Sequence, residues 1–331
     1  MINPNGFVTC NLKGGLGNQL FQICATLAYG KRTNRQVIFQ ERNEIGKRPA
    51  YFSSFFSGLR PYFIAEHDFC YLYQEGTFVV YEERLFEFVP IHHYPPNINV
   101  LLNGYFQSEK YFKEDWEYIA DILWKSKREE YISSILPLLN QESITISMHF
   151  RIGDYVHIQH CHPVINVEYY IRALQQCLNH IKYSENMDDI SENTENNNFE
   201  NKKIEVLYFC EDFDLSDVLE KIDRMKNVFP LVTFRRAKIE IDYQSNEQIK
   251  DKDWREMILF GLGDAHVIPN SSFSWWGCYL GTYFNGNNSN GIVNNGSINK
   301  PVYYPSVWFG PGLHYNNVKD LCPDRWNKIQ S

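Results

Sequence analysis

Four short stretches carry residue types suited to holding a negatively charged ligand. His149-Phe150-Arg151-Ile152-Gly153-Asp154-Tyr155 follows the alternating run Ile144-Thr145-Ile146-Ser147-Met148, which reads as a strand. Arg151 therefore stands at a strand's carboxyl end, where open α/β sheets bind ligands. Its guanidinium offers a fixed fork of donors for a diphosphate and keeps its charge; the same residues also suit an Arg151–Asp154 loop ion pair. Cys210-Glu211-Asp212 follows a second strand-like run, Ile204 to Phe209. A carboxylate there suits a ribose or a guanine edge, and it also suits a plain polar turn.

The third stretch is Pro269-Asn270-Ser271-Ser272-Phe273-Ser274-Trp275-Trp276-Gly277, after the short strand His266 to Ile268 and at the start of a helix running to Tyr283. Backbone N–H groups at a helix start face an anion, and Ser271 or Ser272 also fits an N-terminal cap. The fourth is Lys13-Gly14-Gly15-Leu16-Gly17-Asn18-Gln19-Leu20-Phe21-Gln22, where three glycines separate the strand Gly6 to Leu12 from a helical run through Leu20, Ile23, Cys24, Leu27 and Ala28. Nucleotide phosphate is the first ligand to consider at such a turn, and a tight turn without ligand is the plain alternative. The dinucleotide fingerprint fits poorly: Leu20 stands where a third glycine is required, although Glu41 lies near the place of a ribose-binding acid.

The elements that would position these residues alternate. Asn166 caps a predicted helix through Tyr170, Leu174 and Leu178, Leu215 to Ile222 reads as helix, Leu231 to Phe234 as extended and Trp254 to Leu262 as helix. That order predicts a parallel sheet covered by helices. The polar segments Tyr183 to Lys203 and Asn285 to Asn299 read as surface insertions. No internal repeat is visible.

With 331 residues, 44% hydrophobic and 16% aromatic, the chain can bury two cores. Its aromatic load suits both core and sugar stacking. A net charge of −8 disfavours nucleic acid as a partner, and no N-terminal stretch has the apolar length of a signal peptide or membrane span, which predicts a soluble cytoplasmic protein. Eight scattered cysteines form no C-x-x-C unit and read as thiols. His157, His160, Cys161 and His162 are the nearest thing to a metal cluster, but so short a loop rarely surrounds one tetrahedral ion; no metal site is expected.

Taken together, Gly14 to Gln22, Gly104-Tyr105-Phe106-Gln107-Ser108-Glu109-Lys110-Tyr111-Phe112, His149-x-Arg151-x-Gly153-Asp154-Tyr155 and Asn270 to Gly277 stand in the order seen in the α-1,2-fucosyltransferase family. The chain resembles that family from about residue 7 to Gly310, in its soluble bacterial or viral type. The resemblance implies a GT-B-like α/β fold of two Rossmann-like parallel-sheet domains facing a cleft, with residues 1–140 on the acceptor side and 141–331 binding GDP-L-fucose. It implies inverting transfer of fucose to the 2-hydroxyl of a galactose-containing acceptor. Arg151 matches the first arginine of the family's His-x-Arg-Arg motif and would bind the diphosphate, with His149 facing the guanosine; the second arginine is Ile152 here. Asp212 resembles the acid that reads the nucleotide. Asn270, Ser271, Ser272 and Ser274 resemble phosphate or nucleotide contacts, Gly15, Gly17, Asn18 and Gln19 would belong to the donor site, and Asn18 and Gln19 would lie across the cleft near the reacting carbon.

Fucosyl transfer develops negative charge on the leaving GDP, so fixed donors stabilise the transition state more than the ground state. Without an acid cluster for Mg²⁺, Arg151 and helix starts must carry that charge, and no cofactor is expected. Asp154 and His162 are the candidate bases for the acceptor proton. A nucleotide-dependent oxidoreductase and a non-enzymatic sugar-binding protein are the alternative classes.

Overall fold

The apolar runs read as strands do pair in parallel, and they do so in two separate sheets. In the computed structural model, which describes residues 6–74, 78–188, 203–239, 246–285 and 300–331, the chain divides into two compact units. The first comprises the described parts of Met1–Tyr131, Ile241–Trp254 and Tyr315–Pro323; the second comprises those of Ile132–Glu240, Arg255–His314 and Asp324–Ser331. A single boundary at residue 140 was expected. The division instead falls after Tyr131, and two later segments return to the first unit: aromatic contacts hold the one that ends at Trp254, while in the other Asp320 pairs with Lys110 at 2.5 Å and accepts the Phe88 N–H at 3.1 Å. Trp254 stacks on Phe55 with ring centroids 5.5 Å apart and lies 4.5 Å from Tyr131, and the Tyr51 hydroxyl donates to Asp253.

In the first unit, β1 (Phe7–Cys10) leads through the glycine turn into α1 (Leu16–Thr33), followed by β2 (Gln36–Val37), β3 (Phe78–Glu82) and β4 (Asn99–Asn103). The sheet order is β2-β1-β4-β3, all parallel. Helix α1 is buried along almost its whole length, which explains its run of Leu, Ile, Cys and Ala. Gly30 is required where α1 crosses the sheet, since a Cβ there would sit 2.3 Å from Val37. The aromatic run Tyr51 to Phe56 supplies buried core, with Phe55 and Phe56 fully enclosed.

The second unit carries β5 (Ser143–His149), α2 (Val167–Asp188), β6 (Lys203–Phe209), α3 (Leu215–Val228), β7 (Val232–Arg236), α4 (Asn246–Leu262, of which the part from Arg255 onward belongs here), β8 (Ala265–Val267), α5 (Ser272–Asn285), β9 (Val302–Pro305) and β10 (Asn327–Ile329). The strand order is β7-β6-β5-β8-β9-β10, again all parallel. Two parallel sheets with helical crossovers make the α/β class expected of the sequence. Ile146, Met148, Val206, Tyr169, Tyr170, Leu174, Val218 and Ile222 form the core on one face. The expected cap is present: the Asn166 side chain accepts the Tyr169 N–H at 3.1 Å. Lys300 is buried against the end of α4, where its ammonium donates to the carbonyls of Gly261, Leu262 and Gly263.

Helix α2 continues to Asp188, past the expected start of the first polar insertion; residues 189–202 of that insertion and 286–299 of the second lie outside the described residues. Among the described residues, no helix is long and apolar enough to cross a membrane and no group of His, Cys, Asp and Glu has metal-binding geometry. No disulfide joins the eight cysteines; Cys70 is exposed, and Cys10, Cys24, Cys177, Cys278 and Cys322 are buried.

Candidate functional site

In the second unit the chain moves outward from β5 in both directions, to β6 and β7 on one side and to β8, β9 and β10 on the other. The crevice at the carboxyl ends of β5 and β8 is therefore the topological switch point, where open α/β sheets take their ligands. Arg151 lies in the loop that follows β5, and Asn270 to Ser272 in the turn that follows β8 and opens α5. The two loops are tied together, because the Tyr155 hydroxyl donates to the Asn270 carbonyl at 3.1 Å.

Arg151 is held but still one-fifth exposed. Its guanidinium donates to Asp154 at 2.5 Å and lies 3.7 Å from Glu211, and its plane rests over the Tyr155 ring, 5.1 Å from the centroid. The loop ion pair weighed from the sequence thus exists, with Asp154 about half exposed. Gly153 makes the turn with φ of +37°, and its N–H donates to the buried Asp214 carboxylate at 2.8 Å. Ile152 goes the other way. It is only 4% exposed, among core side chains, and it faces a cavity of ≈ 310 Å³ whose far wall carries Asp217, Glu220, Lys221 and Arg224 of α3. Where the resembled family has a second arginine, this chain has a side chain pointing behind the loop.

His149 is buried with Phe273 5.4 Å and Phe260 6.5 Å away, and its Nδ1 has no hydrogen-bond partner. Burial, with the nearby Arg151 charge, pushes its pKa down to about 3, so the ring is neutral. His162 stacks on Tyr155 at 5.0 Å and meets Phe309 at 5.5 Å. Its Nδ1 is also unpartnered, and burial lowers its pKa while Asp154 opposes the shift. Asp154 and His162 are thus on one loop, but Asp154 is engaged by Arg151 whereas His162 keeps a neutral ring nitrogen.

The serine cluster behaves differently from a row of phosphate donors. Ser274 is fully buried and its hydroxyl donates to the Ser271 carbonyl. Both amide protons of Asn270 are spent on the carbonyls of Pro163 and Trp308, at 3.1 and 3.0 Å, which fastens three loops; its Oδ1 alone has no partner. Ser272, partly exposed as the first residue of α5, stands at the helix start, where N–H groups lack intrahelical acceptors.

Asp212 is three-quarters exposed beyond β6, and its carboxylate accepts from Arg236 at 2.5 Å. Arg236, at the end of β7, retains a buried Nε without a partner. The sequence reading missed Arg236, Tyr155 and Asp214. The pair Arg235-Arg236 closing a strand was the available signal for the first, but only strand register shows that Arg235 turns back to Glu205 while Arg236 meets Asp212.

In the first unit the glycine turn is braced from within. The Gln22 amide clamps both the N–H and the carbonyl of Lys13, at 2.9 and 3.2 Å. Gln19 is fully buried and donates to the carbonyls of Gly14 and Pro49, leaving Oε1 unpartnered. Asn18 accepts from Gln107 at 2.8 Å. Gly14 has φ of +82° and leaves no room for a Cβ beside Asn18. Gly15 precedes α1 and faces open space, while Gly17 is buried within it. The amides expected near a reacting carbon therefore shape the turn, and Gly15 is the open backbone there.

No protein-family model matches the chain. It is 25% identical over 236 residues to the alpha-1,2-colitosyltransferase of Escherichia coli, an alignment that spans 69% of this chain and 61% of that protein. Among solved structures it is similar to POFUT1 in complex with GDP, at 15% identity over 84% of this chain and 94% of that one with a TM-score of 0.41, and to fucosyltransferase NodZ from Bradyrhizobium, at 10% identity over 84% and 94% with the same score. Superpositions that shallow carry no fold assignment, which rests on strand order instead. The chain spans less than two thirds of the length of the colitosyltransferase it matches.

Proposed function

We propose that this protein is an inverting glycosyltransferase that moves L-fucose, or the closely related colitose, from its GDP-linked form to the 2-hydroxyl of a galactose-containing acceptor. One observation carries the reading: a single partly exposed guanidinium, Arg151, stands at the switch point of a parallel sheet beside the start of α5, with an exposed carboxylate, Asp212, on the neighbouring strand end. Fixed cation, helix start and carboxylate suit a nucleoside diphosphate better than a free sugar.

In this reading Arg151, oriented by Asp154, gives its remaining N–H donors to the diphosphate and stabilises the charge that grows on the departing GDP. Tyr155 keeps the guanidinium over its ring and holds the two loops in register. Neutral His149 lines the nucleotide side, and Asp212, fixed by Arg236, accepts from the ribose or base. His162, neutral and with a free ring nitrogen, is the better placed of the two base candidates, since Asp154 serves Arg151. The resident charge comes from arginine, so the reaction needs no metal.

The test is transfer from GDP-fucose and, in parallel, GDP-colitose to lactose, read by mass spectrometry with and without EDTA. A product heavier by one deoxyhexose residue from GDP-fucose, or by one dideoxyhexose residue from GDP-colitose, unaffected by EDTA, is expected. Loss of turnover with EDTA and recovery with Mg²⁺ would overturn the arginine account of leaving-group stabilisation. Thermal stabilisation by NAD but not by GDP would favour the oxidoreductase class instead.

A further inference from the structure

The first unit has a switch point of its own, between β1 and β4, because β2 lies on one side of β1 while β3 and β4 lie on the other. Its register places three polar side chains in one row across the carboxyl ends. Cys10 pairs with Leu102 and Tyr81 with Leu102 from the other side, so Asn11, Asn103 and Glu82 follow side by side, with Glu82 directly opposite Asn103. They form a continuous chain: the Asn11 amide donates to Asn103 at 3.4 Å, and the Asn103 amide donates to Glu82 at 2.7 Å. Lys13 joins the row at 3.5 Å from Asn103, and its ammonium stands over the exposed Tyr105 ring, 4.6 Å from the centroid.

We propose that Asn11, Lys13, Glu82, Asn103 and Tyr105 form a binding site for a neutral pyranoside, the acceptor sugar; this rests on the glycosyltransferase reading above. The chemistry selects the ligand. Amides and a carboxylate in a plane alternate donor and acceptor, as a ring of vicinal hydroxyls demands, and an exposed aromatic face takes the apolar C–H face of a sugar. The Lys13 charge acts on the nearby Glu83 carboxylate, so the site suits an uncharged polyol rather than an anion.

The site is also rigid where rigidity helps binding. The Gln22 amide fixes the Lys13 backbone from both sides. Tyr105 is held by the mostly buried Glu83, which accepts the N–H groups of Tyr105 at 2.6 Å and Phe106 at 3.0 Å. Phe106 itself takes a φ of +53° to complete that turn. Positioning through buried partners lowers the ordering cost of binding.

Saturation-transfer NMR on the full chain, with lactose and maltose as probes, tests the site without requiring turnover. Transfer to one or both sugars is expected from the wild type, with a loss of about five-fold or more in Tyr105→Ala, the size that one stacking contact implies, and in Asn103→Ala, the size that one hydrogen bond implies. Titration with GDP and the melting temperature should be unchanged in both variants, which shows that they fold and separates this site from the nucleotide site. Absence of transfer to either sugar in the wild type, or transfer undiminished in both variants, would overturn the proposal. Failure of the wild type to bind GDP while these sugar effects persist would refute the transferase reading and leave a sugar-binding site.

Discussion

Acidification should destabilise this protein well above the range where carboxylates titrate, because two histidines are buried uncharged. His149 and His266 both have a pKa of about 3 in the folded chain, each lowered first by burial; the neighbouring charge of Arg151 adds to the effect on His149 and that of Lys300 on His266. In the unfolded chain a histidine titrates near 6.5. Between about pH 6.5 and 3 the unfolded state therefore binds more protons, so stability is full above 6.5 and falls as pH falls. At pH 5 each imidazole costs about 2 kcal/mol relative to the plateau, and the two together about 4 kcal/mol, a large share of a typical total of 5–15 kcal/mol. His162, shifted in the same direction, adds to the loss. Urea unfolding at pH 7.5 and pH 5 measures it, and His149→Gln and His266→Gln should each remove about half of the difference. A wild-type loss below about 1 kcal/mol, or a full loss retained in both variants, would refute buried neutral histidines as the cause.

Three further outcomes follow from the geometry. Arg151→Lys should raise the Kd for GDP by about 10- to 100-fold, since a point charge cannot replace the fork; calorimetric titration decides it, and an unchanged Kd would remove Arg151 from the diphosphate site. Asp154→Asn should lower GDP affinity and kcat together by no more than about five-fold, because the pair with Arg151 is half exposed and screened; a fall in kcat of about 10² at constant GDP affinity would make Asp154 the base instead. Gly14→Ala should cost about 1–3 kcal/mol in urea unfolding, given its positive φ and the crowding by Asn18; a neutral effect would mean that the turn relaxes.

The sequence was legible wherever one local pattern decided the structure. Alternation gave β5, continuous apolar runs gave β6, and Asn166 announced the start of α2. Arg151 and Asp212 were legible as strand-end residues because a polar side chain following an apolar run needs no knowledge of pairing. Other features depend on pairing and were hidden. The return of Trp254 to the first unit depends on contacts with Phe55, some two hundred positions away in the chain. The row of Asn11, Glu82 and Asn103 exists only through the register of three strands. Gln19 and Asn270 read as ligand contacts because an amide beside a glycine or serine cluster looks available; their N–H₂ groups go to loop carbonyls, and only Oε1 and Oδ1 stay without a partner.

Ile152 limits how this chain could be re-engineered. A guanidinium introduced there would not reach the side of the loop on which Arg151 works. It would enter the cavity behind the loop, whose far wall carries the acids Asp217 and Glu220 together with the bases Lys221 and Arg224 of α3. A second positive charge at the nucleotide crevice would have to come from another strand end, and Arg236, already leaning on Asp212, is the residue from which such a graft would start.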